Sequence, residues 1–235
     1  MIHSILKFGL SVCVICFPLL LQGAKENENF KPIFDGKSLS GWHAFPEESA
    51  SDWSVTNQII QGEGSKKRQS YLVYKDKDLA DFELKFSYRI PNEGNTGVSI
   101  RMRPDTTGKR AFESYHADLG HVGIGPHILG AWDFHFATRK EHPCKRGTRL
   151  LIRTDGSTET TSIPNGLRLE DIHAHQWNHV HVIAQGNHLQ FFINGKLSSE
   201  LRDEFQSYFK SGTIALQIHD PGMVVEFKEV RLKKM

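Results

Sequence analysis

The chain is short of cysteine, thin in helix signals and nearly balanced in charge, and each shortage closes off a class of protein. Only three of its 235 residues are cysteine. Cys13 and Cys16 lie in an apolar run near the start, so removal of that run leaves Cys144 alone. One thiol cannot close an intrachain disulfide, and the mature chain must be held by its core. Lys and Arg total 29 against 27 Asp and Glu, a formal net charge of +2. That balance points to neither nucleic acid nor an anionic membrane as partner. The apolar run from Phe8 to Leu21 falls short of the roughly 20 residues a spanning helix needs.

That run has instead the length of a signal-peptide core, with Lys7 as a weak positive flank and a cleavage point near Gly23 or Ala24. Neither Cys13 nor Cys16 follows the small-residue pattern of a lipoprotein site. Residues 1–24 therefore read as a cleaved export signal, with a retained anchor as the alternative. The expectation is a periplasmic or secreted protein that meets no membrane once the signal is gone. Roughly 210 residues remain, enough for one substantial core. No repeat or linker divides residues 25–235, which read as one domain.

Strand signals fill that domain. Phe82, Leu84, Phe86, Tyr88 and Ile90 alternate with polar residues and predict one buried face. Val98, Ile100 and Met102 repeat the pattern, which sends Ser99, Arg101 and Arg103 to the opposite side. Trp177 to Ile183 opens another strand, and Leu189 to Leu197 carries Asn194-Gly195, a strong hairpin signal because both residues tolerate positive φ. The apolar phase slips between Phe227 and Val230, which predicts a bulge. Ser198 to Phe209, with Ser198 or Ser199 as a cap and Leu201, Phe205 and Phe209 at helical spacing, could hold one short turn. Gly62–Gln69, Pro104–Arg110, Arg139–Thr148 and Thr154–Gly166 read as loops. Many short strands argue for a sandwich of two antiparallel sheets.

Six segments and two closing strands carry a resemblance. Ile33 to Trp42 reads IFDGKSLSGW, and Trp53-Ser54-Val55 precedes Ile59-Ile60-Gln61-Gly62. Asp81-Phe82-Glu83-Leu84, Gly94-Asn95-Thr96-Gly97 with Arg101, and Tyr115-His116-Ala117-Asp118-Leu119-Gly120 follow. Trp177-Asn178, Ala184 to His188 and Asn194-Gly195 come next, ahead of the closing strands Gly212 to His219 and Val224 to Leu232. In this order they resemble the 3-keto-disaccharide hydrolase family over about Phe30 to Lys233. The resemblance implies an all-β, concanavalin A-like jelly-roll sandwich and a carbohydrate partner, a 3-keto-sugar. His116 departs from the glutamine common in the family, Thr96 replaces a serine, and Ala131-Trp132-Asp133-Phe134 replaces a segment often written Leu/Ile-Tyr-Asp-Glu. Substrate choice is open at those points.

The implied chemistry starts from a ketone at C3, which acidifies the proton on C2. A base removes that proton, the C1 substituent leaves, and water adds back across the double bond. Such a site needs a base, donors for an enolate oxygen and an acid for the leaving group. It does not need the spaced carboxylate pair of ordinary glycosidases. The candidate catalytic residues are His219 as base, Glu113, Arg101 as an enolate or hydroxyl clamp, and Asp118. Asn95, His116, Trp132 and Gln217 are the candidates for binding sugar, Trp132 as a stacking platform.

Each has a structural alternative. Arg101 could pair with Glu113 or Asp118, Asn95 could be a turn residue, and Glu113 could face solvent. His179 and His181 alternate with Val180 and Val182 as on a solvated strand, and Trp42, Trp53 and Trp177 read as packing residues. Thirteen histidines keep a divalent metal open, Ca²⁺ or a transition metal, with His116, Asp118, Glu113 and His219 as N/O donors. No local zinc spacing supports it. Two non-enzymatic readings stand beside the hydrolase: a lectin-like carbohydrate-binding module, and an adhesion domain, which would need a large exposed apolar patch.

Overall fold

The computed structural model describes residues 29–65 and 69–235. The proposed signal at 1–24, with Cys13 and Cys16, lies outside the described residues, as does part of the Gly62–Gln69 loop. Among the described residues no helix is long and apolar enough to cross a membrane.

In chain order the strands are β1 (Lys31–Pro32), β2 (Trp42–Phe45), β3 (Trp53–Thr56), β4 (Ile59–Glu63), β5 (Ser70–Tyr74), β6 (Phe82–Arg89), β7 (Gly97–Pro104) and β8 (Phe112–Asp118). Then come β9 (Trp132–His135), β10 (Thr148–Ile152), β11 (Thr158–Ser162), β12 (Asn178–Gln185), β13 (His188–Ile193), β14 (Lys196–Asp203), β15 (Thr213–Ile218) and β16 (Val224–Lys234). The first sheet runs β11-β10-β14-β13-β12-β6-β16-β4-β3, with β1 on β16. The second runs β2-β5-β15-β7-β8-β9. All pairs are antiparallel except β10 with β14. Among the described residues, helix is confined to the 3₁₀ turns Glu47–Asp52 and Leu169–Asp171.

The core forms where the inner faces of the sheets meet. Phe82, Leu84, Phe86 and Tyr88 of β6 lie in it as the alternation predicts, with Val98 and Ile100 of β7, Tyr115 and Ala117 of β8, and Ile214 and Leu216 of β15. Each such side chain contributes about 1.5–3 kcal/mol by leaving water. On the outside of β6 and its neighbours, Glu83 bonds His181 and Lys233, and Ser87 bonds His179. His179 and His181 are thus polar groups of a sheet exterior. Trp42 and Trp53 are buried, while Trp177 is half-buried under Arg89 and Lys228. Cys144 is buried and free, and burial pushes its thiol up to about 12.

Turn chemistry sets two registers. Asn194 and Gly195 take φ of 50° and 77° between β13 and β14. The predicted bulge appears in β16, where Glu229 has φ 56° and the pairing with β6 slips between Lys228 and Arg231. Three local expectations are corrected. Ser198 to Asp203 is strand, because the Asn194-Gly195 turn lays it against β13 and the ladder outweighs helical spacing. Thr158–Ser162, inside a predicted loop, forms an exposed edge strand on β10. In β7 a bulge at Arg101, φ 48°, reverses the facing, so Met102 turns outward and Arg101 turns inward.

Candidate active site on the outer face of the second sheet

A sheet's outer face is normally wet, yet here its polar groups are buried. Residues opposite one another on neighbouring strands share a face. Ala215 stands opposite Ser99, Ser99 opposite His116, and His116 opposite Asp133. Tyr71 stands opposite Gln217, and Gly97 opposite Asp118. All belong to the face turned away from the core. Ser99 and Ser114 are 0% exposed, and His116 and Gln217 are 2% exposed. Buried polar groups without an evident structural task are the informative exceptions to normal burial.

His116 is the centre. Its Nδ1 lies 3.0 Å from Ser99 Oγ, Ser114 Oγ donates to Ser99 Oγ at 3.2 Å, and Ser114 Oγ lies 3.2 Å from His135 Nδ1. The imidazoles of His116 and His135 stack with centroids 5.1 Å apart. An unbroken hydrogen-bond chain thus links a buried imidazole to one that reaches the surface. The other side of His116 is buried against Gly97. Among the described residues, Nε2 has no hydrogen-bond partner, and neither do Gln217 Oε1 and Asn95 Oδ1. Asp118 Oδ1 lies 3.7 Å from His116 Nε2. Gly97 makes room: a Cβ there would sit 2.2 Å from His116 Nε2.

Electrostatics follow from burial. Desolvation, helped by His135 and His219, holds His116 well below the usual 6.5, so the imidazole is neutral. Desolvation, helped by Asp133, raises Asp118 well above 3.8 although the Asn95 amide opposes it, which favours the protonated carboxyl. His135 is lowered as well, chiefly by burial. Gln217 Nε2 donates to Tyr71 Oη at 3.0 Å, and burial raises that phenol to about 12. Tyr71 therefore keeps its own proton to give. A neutral base, a protonated acid and a phenolic donor share one buried spot.

The GNTG segment positions these groups. Asn95 N donates to Asp220 Oδ2 at 2.7 Å, and Thr96 Oγ1 donates to the Gln217 carbonyl. Asp220 Oδ1 in turn lies 2.7 Å from His219 Nδ1. His219 is thus tied through Nδ1 at the margin of the cluster, on the Gln217 side. Its role as base rests on the sequence expectation alone.

Three candidates lie elsewhere. Arg101 is 0% exposed and points inward at the sheet end. Its guanidinium donates to the carbonyls of Ala80, Gly186 and Phe209 and meets Asp81 at 3.3 Å, so it ties loops together. Burial lowers its pKa. Its expected partners Glu113 and Asp118 are not its neighbours. Glu113 accepts from Arg103 at 3.1 Å and from Ala137 N at 3.0 Å, away from His116. Trp132 is corrected from a loop platform to a β9 residue facing the core, against Phe191. The structure brings together His116, Asp118, Asn95 and Gln217, with His219 beside them. It adds Ser99, Ser114, Tyr71 and His135, of which only Ser99 was visible by alternation.

A divalent ion would find an imidazole, a carboxyl and two amide oxygens here. Among the described residues no group of three or more His, Cys, Asp or Glu is placed to hold one. Of the groups gathered here, His116 and Asp118 are the strong donors.

Residues 29–233 match the profile of the 3-keto-alpha-glucoside-1,2-lyase-like domain. The chain belongs to that family. The domain is therefore 3-keto-glycoside hydrolase-like, and its partner is a carbohydrate. No curated protein matches the chain in sequence. Solved structures share the fold at low identity. A glycosyl hydrolase candidate from Parabacteroides distasonis ATCC 8503 has a TM-score of 0.56 at 19% identity, over 92% of this chain and 98% of that one. The carbohydrate-binding module CBM66 from Bacillus subtilis has a TM-score of 0.54 at 15% identity, over 83% and 96%. A Bacillus subtilis protein of unknown function with a galectin-like fold reaches 0.57 at 11% identity, over 87% and 94%. The sandwich is thus of the lectin and glucanase type expected for this family.

Proposed function

We propose that this protein is exported and cleaves the glycosidic bond of 3-keto-glycosides by elimination and hydration. What carries the reading is the buried pair His116 and Asp118, held 3.7 Å apart as neutral base and protonated acid. His116 Nε2 takes the proton from C2, and the electron pair moves through C2 toward the C3 oxygen. Tyr71 Oη and the Asn95 amide are the donors placed to hold that developing charge. The C1–O bond then breaks, Asp118 gives its proton to the departing oxygen, and a C1–C2 double bond remains. Water adds at C1 with its proton passing to Asp118, and His116 returns the first proton to C2. Both groups end as they began.

His116 takes the place that the sequence assigns to His219, because its unpartnered Nε2 faces the acid. His219 is left beside the pair, tied to Asp220 through Nδ1. The signal at residues 1–24 supports a periplasmic or secreted location, where glycosides from outside the cell would be met.

The test is turnover of a 3-keto-glucoside bearing a chromogenic leaving group, beside its unoxidised parent, with and without chelator. Release from the keto form alone is expected. Loss on chelation, restored by Ca²⁺ or a transition metal, would add a divalent ion to His116 and Asp118. Release from neither substrate, with binding of a plain glycan, would replace the enzyme by a carbohydrate-binding module.

A further inference from the structure

The His116 cluster lies toward the end of the second sheet where Gly97 stands opposite Asp118. At the other end of the same two strands, Arg103 stands opposite Glu113 and Pro104 opposite Phe112. Phe112 and Asp118 are six residues apart on β8, about 20 Å, so this end is remote from the base and the acid. Two cavities open there. One, of about 290 Å³, is bordered by His43, Phe45, Lys77, Met102, Arg103 and Phe112. The other, of about 470 Å³, is bordered by Lys77, Asp78, Arg103, Ser207, Lys210 and Ser211. Lys77 and Arg103 border both, so the two adjoin as one groove, apolar on one side and cationic on the other. The apolar patch comes from the bulge at Arg101, which turns Met102 outward to join Phe112, with Phe45 packed against them.

The cations are the unusual part. On the first sheet and its margin, Lys196, Lys233 and Lys234 are neutralised by Asp171, Glu83 and Asp76 at 2.6, 2.7 and 2.6 Å. Lys77 and Lys210 have no ion pair among the described residues, and Lys210 lies 5.7 Å over the Tyr208 ring. Arg103 gives one N–H to Glu113 and lies 4.0 Å over the Phe209 ring, which fixes its planar fork at the groove. Asp78, the one carboxylate in the lining, also lies in the field of Lys234. With Glu113 counted against Arg103, cations still exceed carboxylates, and both lysines are left to meet a ligand. The Ser207 and Ser211 hydroxyls beside them are unbonded among the described residues.

We propose that this groove is a second, non-catalytic carbohydrate site whose ligand is a glycan chain bearing anionic groups, carboxylate or sulfate. Lys77 and Lys210 take the charged substituents, and Ser207 and Ser211 meet sugar hydroxyls. Pyranose C–H faces cover Phe45 and Phe112. An acidic peptide would use the cations but leave the hydroxyls and rings without a shared task. A formal net charge of +2 supplies little of the long-range attraction on which nucleic-acid binding rests. The groove does not depend on the function proposed above. It would hold the protein on an acidic glycan while the His116 cluster works at the far end of the sheet.

The experiment measures calorimetric binding of dextran, carboxymethyl-dextran and dextran sulfate, which share one neutral backbone, beside inorganic polyphosphate, a polyanion without sugar. At about 0.15 M salt, one or both charged dextrans should bind at least tenfold more tightly than dextran. The one that binds names the anion. The double variant Lys77→Gln with Lys210→Gln should lose that advantage, and Phe45→Ala should weaken the charged dextran severalfold. Lys145→Gln, an exposed lysine outside the groove, should bind like the parent. Binding is read directly, so absence of 3-keto-glucoside turnover leaves the test intact; where turnover is present, it should match the parent's in every variant. Charged dextrans binding no better than dextran, or no loss in the double variant, overturns the proposal. Polyphosphate binding as tightly as the charged dextrans, with Phe45→Ala unchanged, makes the groove a non-specific cation patch and overturns it too.

Discussion

His116 and Asp118 stand two residues apart on β8, and their side chains meet at 3.7 Å on the outer face of the second sheet. Alternation along a strand places them on one side, and the neighbouring glycine Gly97 leaves room for the imidazole. Burial then drives both toward their neutral forms, which suits a base and an acid acting on adjacent carbons.

The pair gives the first prediction. His116→Gln should lower kcat on a 3-keto-glucoside by about 100-fold or more, while the thermal unfolding curve moves by only a few degrees. His219→Ala should cause a much smaller loss. A larger loss in His219→Ala than in His116→Gln would return the base to His219.

The second concerns the chain from His135 through Ser114 and Ser99 to His116. If it carries protons between His116 and solvent, Ser99→Ala should slow turnover by about tenfold. The acid limb of its pH profile should shift. His135→Ala should do the same and recover with added imidazole. Asp133, Arg110 and His219 also face His135 and contribute to that limb. A pH profile identical to the parent's in both variants would make the serines packing residues.

Arg101 separates structure from catalysis. Its guanidinium serves three backbone carbonyls in a buried position, so Arg101→Ala should destabilise the fold by about 3–5 kcal/mol in urea denaturation. Arg101→Lys keeps the charge but not the planar fork and should fall between. Unchanged stability with abolished turnover would make Arg101 the clamp that the sequence suggests.

Stability should bend with pH in two directions. His116 and His135 are held below 6.5 when folded. The unfolded chain therefore binds more protons as pH falls, and stability present above 6.5 is lost on acidification. Asp118 is raised above 3.8, so its contribution is present below 3.8 and declines as pH rises through its folded value. Asp118→Asn should raise the melting temperature at about pH 8 and leave it unchanged near pH 3. Melting curves that run parallel to the parent's at every pH would contradict the shift.

Much of the fold was legible along the chain because strand alternation is a local code. The β6 face, the Asn194-Gly195 hairpin and the β16 bulge followed from it. The short turn expected within Ser198 to Phe209 is confined to its end, after Asp203, because ladder pairing with β13 is a non-local term that spacing does not contain. The site was legible in part. His116, Asp118, Asn95 and Gln217 came together, since motif and alternation both place them on one face. Arg101 and Trp132 did not, because one residue of bulge or of strand boundary reverses which way every later side chain points.

By itself the sequence determined the all-β class and the family, since these rest on period-two patterning and ordered motifs. Only the tertiary structure decided which imidazole meets the acid, which arginine is bound into the frame and where the apolar patch opens. Each of those depends on pairing across strands distant in sequence, and on burial that sets protonation once the sheets have closed.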